Sequence, residues 1–174
     1  MDANSSKGSH AMRKYHFLIA VLVVVLDRAS KWVVASKIGL HDSVAVLPGC
    51  FRLTHVQNSG AAFGLFAESP SEWKVAILVL FSILALAVVS ALLWKNSHIM
   101  TTTGVGLALI LGGAVGNLWD RLLAGHVVDF LDFYLGSYHW PAFNIADSAI
   151  VIGALMLVAE ILFAKTAAEQ NAVR

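Results

Sequence analysis

The sequence predicts an α-helical integral membrane protein with four transmembrane helices and a small extracytoplasmic β-sheet or cradle. The chain is 58% hydrophobic and only 13% charged, with a mean hydropathy of +0.74, so it has too little polar surface to cover a water-soluble globule of 174 residues. Four segments approach the roughly 20 apolar residues that a bilayer-crossing helix needs. Between the first two, alternating and β-branched runs are interrupted by Pro48 and Gly49, which is typical of a hairpin resting on the membrane surface.

The predicted spans cover residues 14–35, 73–94, 103–122 and 144–164. The first is apolar up to Leu26, except for His16, and has a polar face afterwards. The second has Trp73 and Trp94 at its ends, where interfacial aromatic residues are expected. The third is rich in glycine, which lets helix backbones approach closely, and the fourth is polar at its start and then apolar until Glu160.

The ends of the chain differ in character from the spans. Residues 1–12 are small and polar, and we interpret them as the remnant of an expression tag. Residues 13–166 are predicted to form a single four-span membrane domain, and residues 167–174 a tail. The sequence contains no internal repeat or linker that would divide this domain.

Basic residues beside the spans predict the orientation, because positively charged short loops stay in the cytoplasm. These residues are Arg13, Lys14, Lys95, Lys165 and Arg174. All of them fall on one side of the four predicted spans, so both termini are predicted to be cytoplasmic. The segments 36–72 and 123–143 are then predicted to face outward.

Several classes of function are disfavoured by composition. A formal net charge of +1 gives no electrostatic reason to expect a nucleic-acid partner. Cys50 is the single cysteine, and no Cys/His cluster has the spacing of a zinc or iron–sulfur site. We therefore predict no metal and no cofactor.

Polar side chains collect at the outward ends of three spans, and ionisable groups inside a membrane usually mark a functional site. They are Asp27, Arg28, Lys31, Asn117, Asp120, Arg121, Asn144 and Asp147, and the outward segments add Asn58 and Asp129. Asp27 and Lys31 are spaced i, i+4 and so share a helix face. This spacing recurs in Asn117 and Arg121. The whole group could converge on one site.

Each of these residues also has a structural interpretation. An i, i+4 pair such as Asp27 and Lys31 is more often a structural ion pair than a catalytic one. The amide of Asn117 could bridge helices, and Arg121 could extend to the interface.

Three further polar positions are open in the same way. Asn144 could be only an N-cap, and Asp147 only a first-turn acid favoured by the helix dipole. Asp129 could be an ordinary solvated loop acid.

Five segments, in their order and spacing, resemble the family of lipoprotein signal peptidase, or signal peptidase II. They are VLDRASKW (25–32), QNSGAAFG (57–64), GGAVGNLWDRL (112–122), GHVVDF (125–130) and PAFNIADS (141–148). The resemblance extends from Lys14 to Lys165 and shows no departure at the functional positions. It implies the family's four-span fold with an outward β-cradle.

The resemblance also implies chemistry and partners. The family's catalytic acids fall on Asp129 and Asp147, and the residues implied to bind substrate, stabilise the oxyanion or support the site are Asn58, Gly60, Asn117, Arg121, Asn144, Asp27 and Lys31. The implied task is to cut prolipoproteins before a diacylglyceryl-modified cysteine. The implied setting is the extracytoplasmic face of the bacterial inner membrane, with membrane lipid as a further partner and inhibition by compounds of the globomycin type.

Two other classes of function remain open. A small proton-coupled transporter would also use intramembrane Asp, Lys and Arg, although the chain lacks the inverted repeat of many transporters. A non-catalytic membrane scaffold would not need Asp129 and Asp147 in addition to the structural pairs.

Overall fold

The computed structural model describes residues 3–60, 71–96 and 101–172, and helices occur at all four predicted positions. The elements are α1 (Ala3–Lys37), β1 (Ser43–Leu47), β2 (Phe51–Asn58), α2 (Ser71–Asn96), α3 (Thr102–Ala124), β3 (Val127–Leu135), β4 (Tyr138–His139) and α4 (Ile145–Ala172). Residues 61–64 of the QNSGAAFG motif lie outside the described residues.

Three of the described helices are long and apolar enough to cross a membrane, through the segments Val75–Lys95, Thr102–Ala124 and Ile145–Phe163. The predicted apolar helices at 73–94, 103–122 and 144–164 are therefore present. Helix α1 is not among the three, because Asp27, Arg28 and Lys31 place three charges in its second half. A first span at residues 14–35 stays a prediction.

Helix α3 lies at the centre of the helical layer and packs against α1, α2 and α4. Two glycines on α3 allow a close approach to α1. A Cβ at Gly112 would lie 2.6 Å from the carbonyl oxygen of Ala20, and one at Gly116 would lie 2.7 Å from Oδ2 of Asp27. The glycine-rich third span thus brings the polar half of α1 against α3.

The strands form an antiparallel sheet in the order β1-β2-β3-β4. The predicted hairpin is confirmed, because β1 and β2 pair on either side of the turn that contains Pro48 and Gly49. The third and fourth strands were not predicted from the sequence. The register of β2 against β3 shifts by a β-bulge between Leu53 and Val56.

The junction between α3 and β3 brings the sheet to the polar end of the bundle. Helix α3 ends at Gly125, which adopts a left-handed conformation (φ 72°) and donates its N–H to the carbonyl of Arg121 at 3.1 Å. A non-glycine residue would be strained at this φ. The chain therefore turns directly from α3 into β3, which carries Asp129.

Candidate active site

An ion cluster joins α1 to α3, and it consists of the buried residues Asp27, Lys31 and Asp120 and the partly exposed Arg28. The Lys31 ammonium lies 2.7 Å from Oδ2 of Asp27 and 2.7 Å from Oδ2 of Asp120. Arg28 also pairs with Asp120. Two cations thus face two carboxylates, so the formal charges cancel, as a low-dielectric site requires.

The same cluster reaches the first turn of α4. Oδ1 of Asp27 accepts a hydrogen bond from the backbone N–H of Ala146 at 2.9 Å. This N–H is one of the groups that a helix leaves unpaired at its N-terminus. The predicted i, i+4 pairing of Asp27 and Lys31 is confirmed, and Asp27 also caps a helix far away in the sequence.

Asn117 connects the ion cluster to the start of α4. Its Oδ1 accepts a hydrogen bond from Lys31 Nζ at 3.0 Å, and its Nδ2 donates to Oδ1 of Asp147 at 2.7 Å. Because the carbonyl faces a cation and the amide faces a carboxylate, the orientation of the Asn117 side chain is fixed.

Asn144 and Asp147 form a reciprocal capping box at the N-terminus of α4. The backbone N–H of Asp147 donates to Oδ1 of Asn144 at 2.9 Å, and the backbone N–H of Asn144 donates to Oδ2 of Asp147 at 3.2 Å. The N-cap interpretation of Asn144 is therefore confirmed. The Nδ2 of Asn144 also donates to Oδ1 of Asp129 at 2.7 Å, so this residue contacts both predicted catalytic acids.

Asp129 lies on β3 and is almost completely buried, with 3% of its surface exposed. Its Oδ2 accepts a hydrogen bond from Nδ2 of Asn58 at 2.9 Å, and the backbone N–H of Gly60 donates to Oδ1 of Asn58 at 2.9 Å. Gly60 therefore orients Asn58 toward Asp129. The interpretation of Asp129 as a solvated loop acid is wrong, because β3 and its two asparagine partners enclose it.

Burial raises the pKa of Asp129 to about 6 from an ordinary value of 3.8. Hydrogen bonds from Asn58 and Asn144 favour the ionised form and oppose this shift, whereas the nearby charge of Asp147 adds to it. A carboxyl with a pKa near this value can exchange a proton close to neutral pH, which general acid–base catalysis requires.

A cavity of about 1080 Å³ opens beside the two acids. Its polar lining includes Asn58, Asn117, Arg121, Asp129 and Asp147. Its apolar lining includes Val56, Val127, Trp140, Phe143, Ile150 and Val151. The cavity therefore offers two carboxylates, amide groups and one guanidinium next to a largely apolar wall.

Arg121 lines this cavity without an ion pair among the described residues. Its Nη1 donates a long hydrogen bond, 3.4 Å, to the backbone carbonyl of Asn117. The other guanidinium donors are thus free to face a bound molecule, within the part of the chain that the structure describes.

The predicted site residues separate into two groups. Asp129, Asp147, Asn58, Gly60, Asn117 and Arg121 line the cavity, and Asn144 lies directly behind the two acids. Asp27 and Lys31 do not line the cavity. Asp27 instead caps the first turn of α4, and Lys31 binds the side chain of Asn117. Asp120 was expected among these polar residues, but its pairing was not predicted, because no spacing rule connects it to Arg28 and Lys31.

A second polar group was not recognised from the sequence. Arg52, Asp132 and His139 come together across the sheet, with Arg52 Nε 2.6 Å from Oδ2 of Asp132 and His139 Nδ1 3.0 Å from Oδ1. Their connection depends on the β2–β3 register. The available signal was the run of valine, phenylalanine and tyrosine around Asp132, which favours a strand.

Comparison with known proteins assigns these features to one family. The family described as signal peptidase (SPase) II matches residues 19–163. A protein of Desulforapulum autotrophicum named lipoprotein signal peptidase is 49% identical over 152 residues, which cover 85% of this chain and 91% of that protein. One of the same name from Solibacter usitatus is 44% identical over 144 residues, covering 83% of this chain and 88% of that protein.

Solved structures agree with this assignment. Two structures described as a bacterial membrane enzyme superpose with TM-scores of 0.76 and 0.75 at 32% and 33% sequence identity. Each covers 86% of this chain, and the matches span 88% and 93% of the solved chains.

Proposed function

The chain belongs to the signal peptidase II family and is an inner-membrane protease that removes signal peptides from lipoproteins, and from this premise we propose that it is an aspartyl endopeptidase with Asp129 and Asp147 as its catalytic acids. One observation carries the proposal. Both carboxylates line the same cavity and both contact Asn144, whereas Asp27 and Asp120 are paired with cations away from the cavity.

The charges at the cavity support a shared proton. Arg121 is the only cation among the described residues that line the cavity with Asp129 and Asp147, so two ionised acids would leave one uncompensated negative charge. One proton on the pair brings the formal charge to zero. Two neighbouring carboxylates favour this state, because like charges in a desolvated site raise the pKa of the pair.

This state is suited to peptide hydrolysis. The ionised member accepts a proton from an attacking water while the protonated member donates one to the scissile carbonyl oxygen. We assign the donor role to Asp129, because its raised pKa favours retention of the proton. Arg121 and the side-chain amide of Asn58 hold the peptide backbone and stabilise the developing oxyanion.

We also propose that the substrate is a prolipoprotein cut before a diacylglyceryl-modified cysteine. The cavity supports this, because apolar side chains such as Phe143, Ile150 and Val151 lie beside the carboxylates. A signal helix and acyl chains would bring apolar surface to such a wall. Membrane lipid would border the same opening, and an inhibitor of the globomycin type would compete for the cavity.

A proton-coupled transporter is not favoured. The family match covers residues 19–163, and the relatives that span most of the chain are named lipoprotein signal peptidases. Measurement of proton flux in proteoliposomes beside peptide cleavage would separate the two classes, and we expect cleavage without flux.

The main experiment compares Asp129→Asn and Asp147→Asn in a cleavage assay with a purified diacylglyceryl peptide. Each change removes proton exchange but keeps the size of the side chain, so kcat should fall by at least roughly a hundredfold. The double variant should be hardly worse than either single one, because the two acids act as a unit. The matched control is Asp42→Asn, which makes the same change at an exposed position before β1.

Retention of wild-type turnover by Asp129→Asn would show that this carboxyl is not catalytic. Loss of activity in the control to the same extent would show that the assay detects a general loss of fold. A melting curve of each variant separates inactivation from unfolding.

We further propose four spans, with both termini in the cytoplasm and the cavity at the extracytoplasmic face. The basic residues beside the spans support this orientation. Cys50 provides a direct test, because it is the single cysteine and is exposed at the β1–β2 turn. A membrane-impermeant maleimide should label Cys50 in spheroplasts, whereas Ser97→Cys in a Cys50→Ser background should stay unlabelled until the cells are lysed.

Labelling of the introduced cysteine at position 97 from outside would show that the orientation is the reverse of the proposed one. Equal labelling of both positions from outside would instead contradict the number of spans, since one helix could not then cross the membrane between them.

A further inference from the structure

Three strands are connected by a polar clamp, which consists of Arg52 on β2, Asp132 on β3 and His139 on β4. Arg52 and Asp132 lie directly opposite each other in the sheet register. Both oxygens of the Asp132 carboxylate are used, since Arg52 Nε lies 2.6 Å from Oδ2 and His139 Nδ1 lies 3.0 Å from Oδ1. The carboxylate is buried, although Arg52 and His139 are each about one-third exposed.

Aromatic contacts hold the clamp in place. The Arg52 guanidinium lies 5.5 Å from the centre of the Tyr134 ring, and that ring stacks on His139 at 5.1 Å. Tyr134 also accepts a hydrogen bond at its hydroxyl from the backbone N–H of Gly49. The clamp therefore has a defined geometry and is not a loose surface ion pair.

The two outer members of the clamp lead to two walls of the cavity, which lie on either side of β3 in the sheet. Arg52 precedes Val56, Gln57 and Asn58 on the same strand, and these three residues line one wall. His139 directly precedes residues 140–143, which line the other wall. The strand β3, with Asp129, runs between them.

The second wall is attached to β3 by the short β3–β4 pairing, by backbone hydrogen bonds at its two ends and by the stack of Phe143 on Phe133. Trp140 donates its backbone N–H to the carbonyl of Phe133 at 2.8 Å, and Phe143 exchanges backbone hydrogen bonds with Leu131 at 2.8 and 3.1 Å. Trp140 itself is half exposed. Loss of the contact between Asp132 and His139 would leave this backbone pairing but would loosen the side-chain attachment at the near end of the wall.

We propose that Asp132 is a positioning residue for the cleavage reaction, which acts through Arg52 and His139 to fix the separation of the two walls that hold the substrate. The inference rests on the proposed function, because it takes this cavity as the substrate site. Asp132 does not line the cavity and touches no reacting atom.

A positioning role makes a different prediction from a purely structural one. Arg52 and His139 are each about one-third exposed, so water can solvate both side chains when Asp132 is replaced, and no buried charge is left unpaired. The Phe51, Phe133 and Phe143 rings also stack in sequence, with centroids 4.7 and 5.9 Å apart, and connect the same region of the sheet. Asp132→Asn should therefore fold, while its second wall is less well placed.

The experiment measures kcat and KM for Asp132→Asn, with Asp42→Asn as the matched control. We expect KM to rise by roughly tenfold and kcat to change by less than about twofold, since binding is weakened while the carboxylates are unchanged. The affinity for intact diacylglyceryl peptide is measured in parallel in an Asp129→Asn background, where Asp132→Asn should weaken binding by a similar factor.

Two substitutions of His139 sharpen the test. His139→Gln keeps a side-chain donor for Asp132 and should retain a KM near that of the wild type. His139→Phe keeps a ring that can stack on Tyr134 but removes the donor, so its KM should match that of Asp132→Asn.

An Asp132→Asn variant with a lower melting temperature but unchanged KM and affinity would overturn the proposal and leave the clamp as a structural feature. A lower kcat with unchanged KM would overturn it as well. Failure of the catalytic assignment is a separate result, because it would appear as turnover by Asp129→Asn with Asp132 unchanged.

Discussion

Two groups of acids lie close together in this protein, and they differ in what surrounds them. Asp27 and Asp120 face Lys31 and Arg28 in a cluster whose formal charges cancel. Asp129 and Asp147 instead receive hydrogen bonds from neutral amides and line a cavity with a single guanidinium. The acids of the ion cluster hold helices together through their cations, whereas Asp129 is held by amides and has a raised pKa.

Asn117 and Asn144 connect the ion cluster to the two acids of the cavity. Asn117 binds Lys31 of the ion cluster and Asp147 of the cavity, while Asn144 binds Asp129 and caps α4. These neutral amides fix the positions of Asp129 and Asp147 relative to the ion cluster without adding charge. The ion cluster can therefore fix the helices without placing its cations in the cavity that Asp129 and Asp147 line.

The largest expected effect that separates the two groups is that of Asp27→Asn on stability. The change would leave two cations facing Asp120 alone, and the new amide would place donors toward Lys31. Breaking a buried pair in this way costs roughly 3 to 5 kcal/mol. We expect a clearly lower melting temperature in detergent, with loss of activity that follows the loss of folded protein.

Asp129→Asn is the comparison for this prediction, because it should lose activity while it remains folded. If Asp27→Asn melts like the wild type, the ion cluster does not stabilise the fold in the way that its geometry indicates. If it is stable but inactive, Asp27 belongs with the catalytic acids.

A smaller effect concerns the dependence of stability on pH. The pKa of Asp129 is raised from 3.8 to about 6 in the folded state, so the folded protein holds a proton that the unfolded chain releases between these values. The contribution of this group to stability is therefore greatest below pH 3.8 and is lost as the pH rises to about 6. The shift corresponds to roughly 3 kcal/mol, since one pKa unit is worth about 1.4 kcal/mol.

Asp129→Asn removes this titration. The difference in melting temperature between the wild type and Asp129→Asn should change across this pH range, in the direction that disfavours the wild type at higher pH. The difference in melting temperature at a single pH is less informative. An asparagine at position 129 has one oxygen for the two amide donors from Asn58 and Asn144, so this variant also loses a hydrogen bond at every pH. A difference that is constant from pH 4 to pH 7 would contradict the raised pKa.

The sequence was most informative where local spacing determines structure. The hairpin followed from strand-forming runs around Pro48 and Gly49, and the helix start followed from Asn144 and Asp147, which are three residues apart. Of the nine site residues that the resemblance implied, the fold brings six to one cavity and places Asp27, Lys31 and Asn144 around it as supports. Their catalytic roles stay predictions.

Long-range pairing was not accessible in the same way. Asp120 contacts residues of α1 about 90 positions earlier in the chain, and Arg52 meets Asp132 only because a bulge sets the register of β2 against β3. Neither relation has a periodicity. The strand around Asp132 was the part that residue preferences alone could have indicated, since β-branched and aromatic residues fill it.

The pH dependence of cleavage tests which acid of the cavity donates the proton. If Asp129 must be protonated in the free enzyme, kcat/KM should fall as the pH rises above about 6, by about tenfold for each further pH unit. If Asp129 is instead the base, kcat/KM should fall below this pH.

The measurement is a series of cleavage rates at low substrate concentration from pH 4.5 to pH 8.5, with the melting temperature recorded at each pH so that unfolding is not mistaken for titration. The control is Asp132→Asn, which leaves both acids of the cavity in place and should shift the whole profile to lower kcat/KM without moving its inflection. An inflection that is absent near pH 6 in the wild type would contradict the assignment of a titrating role to Asp129.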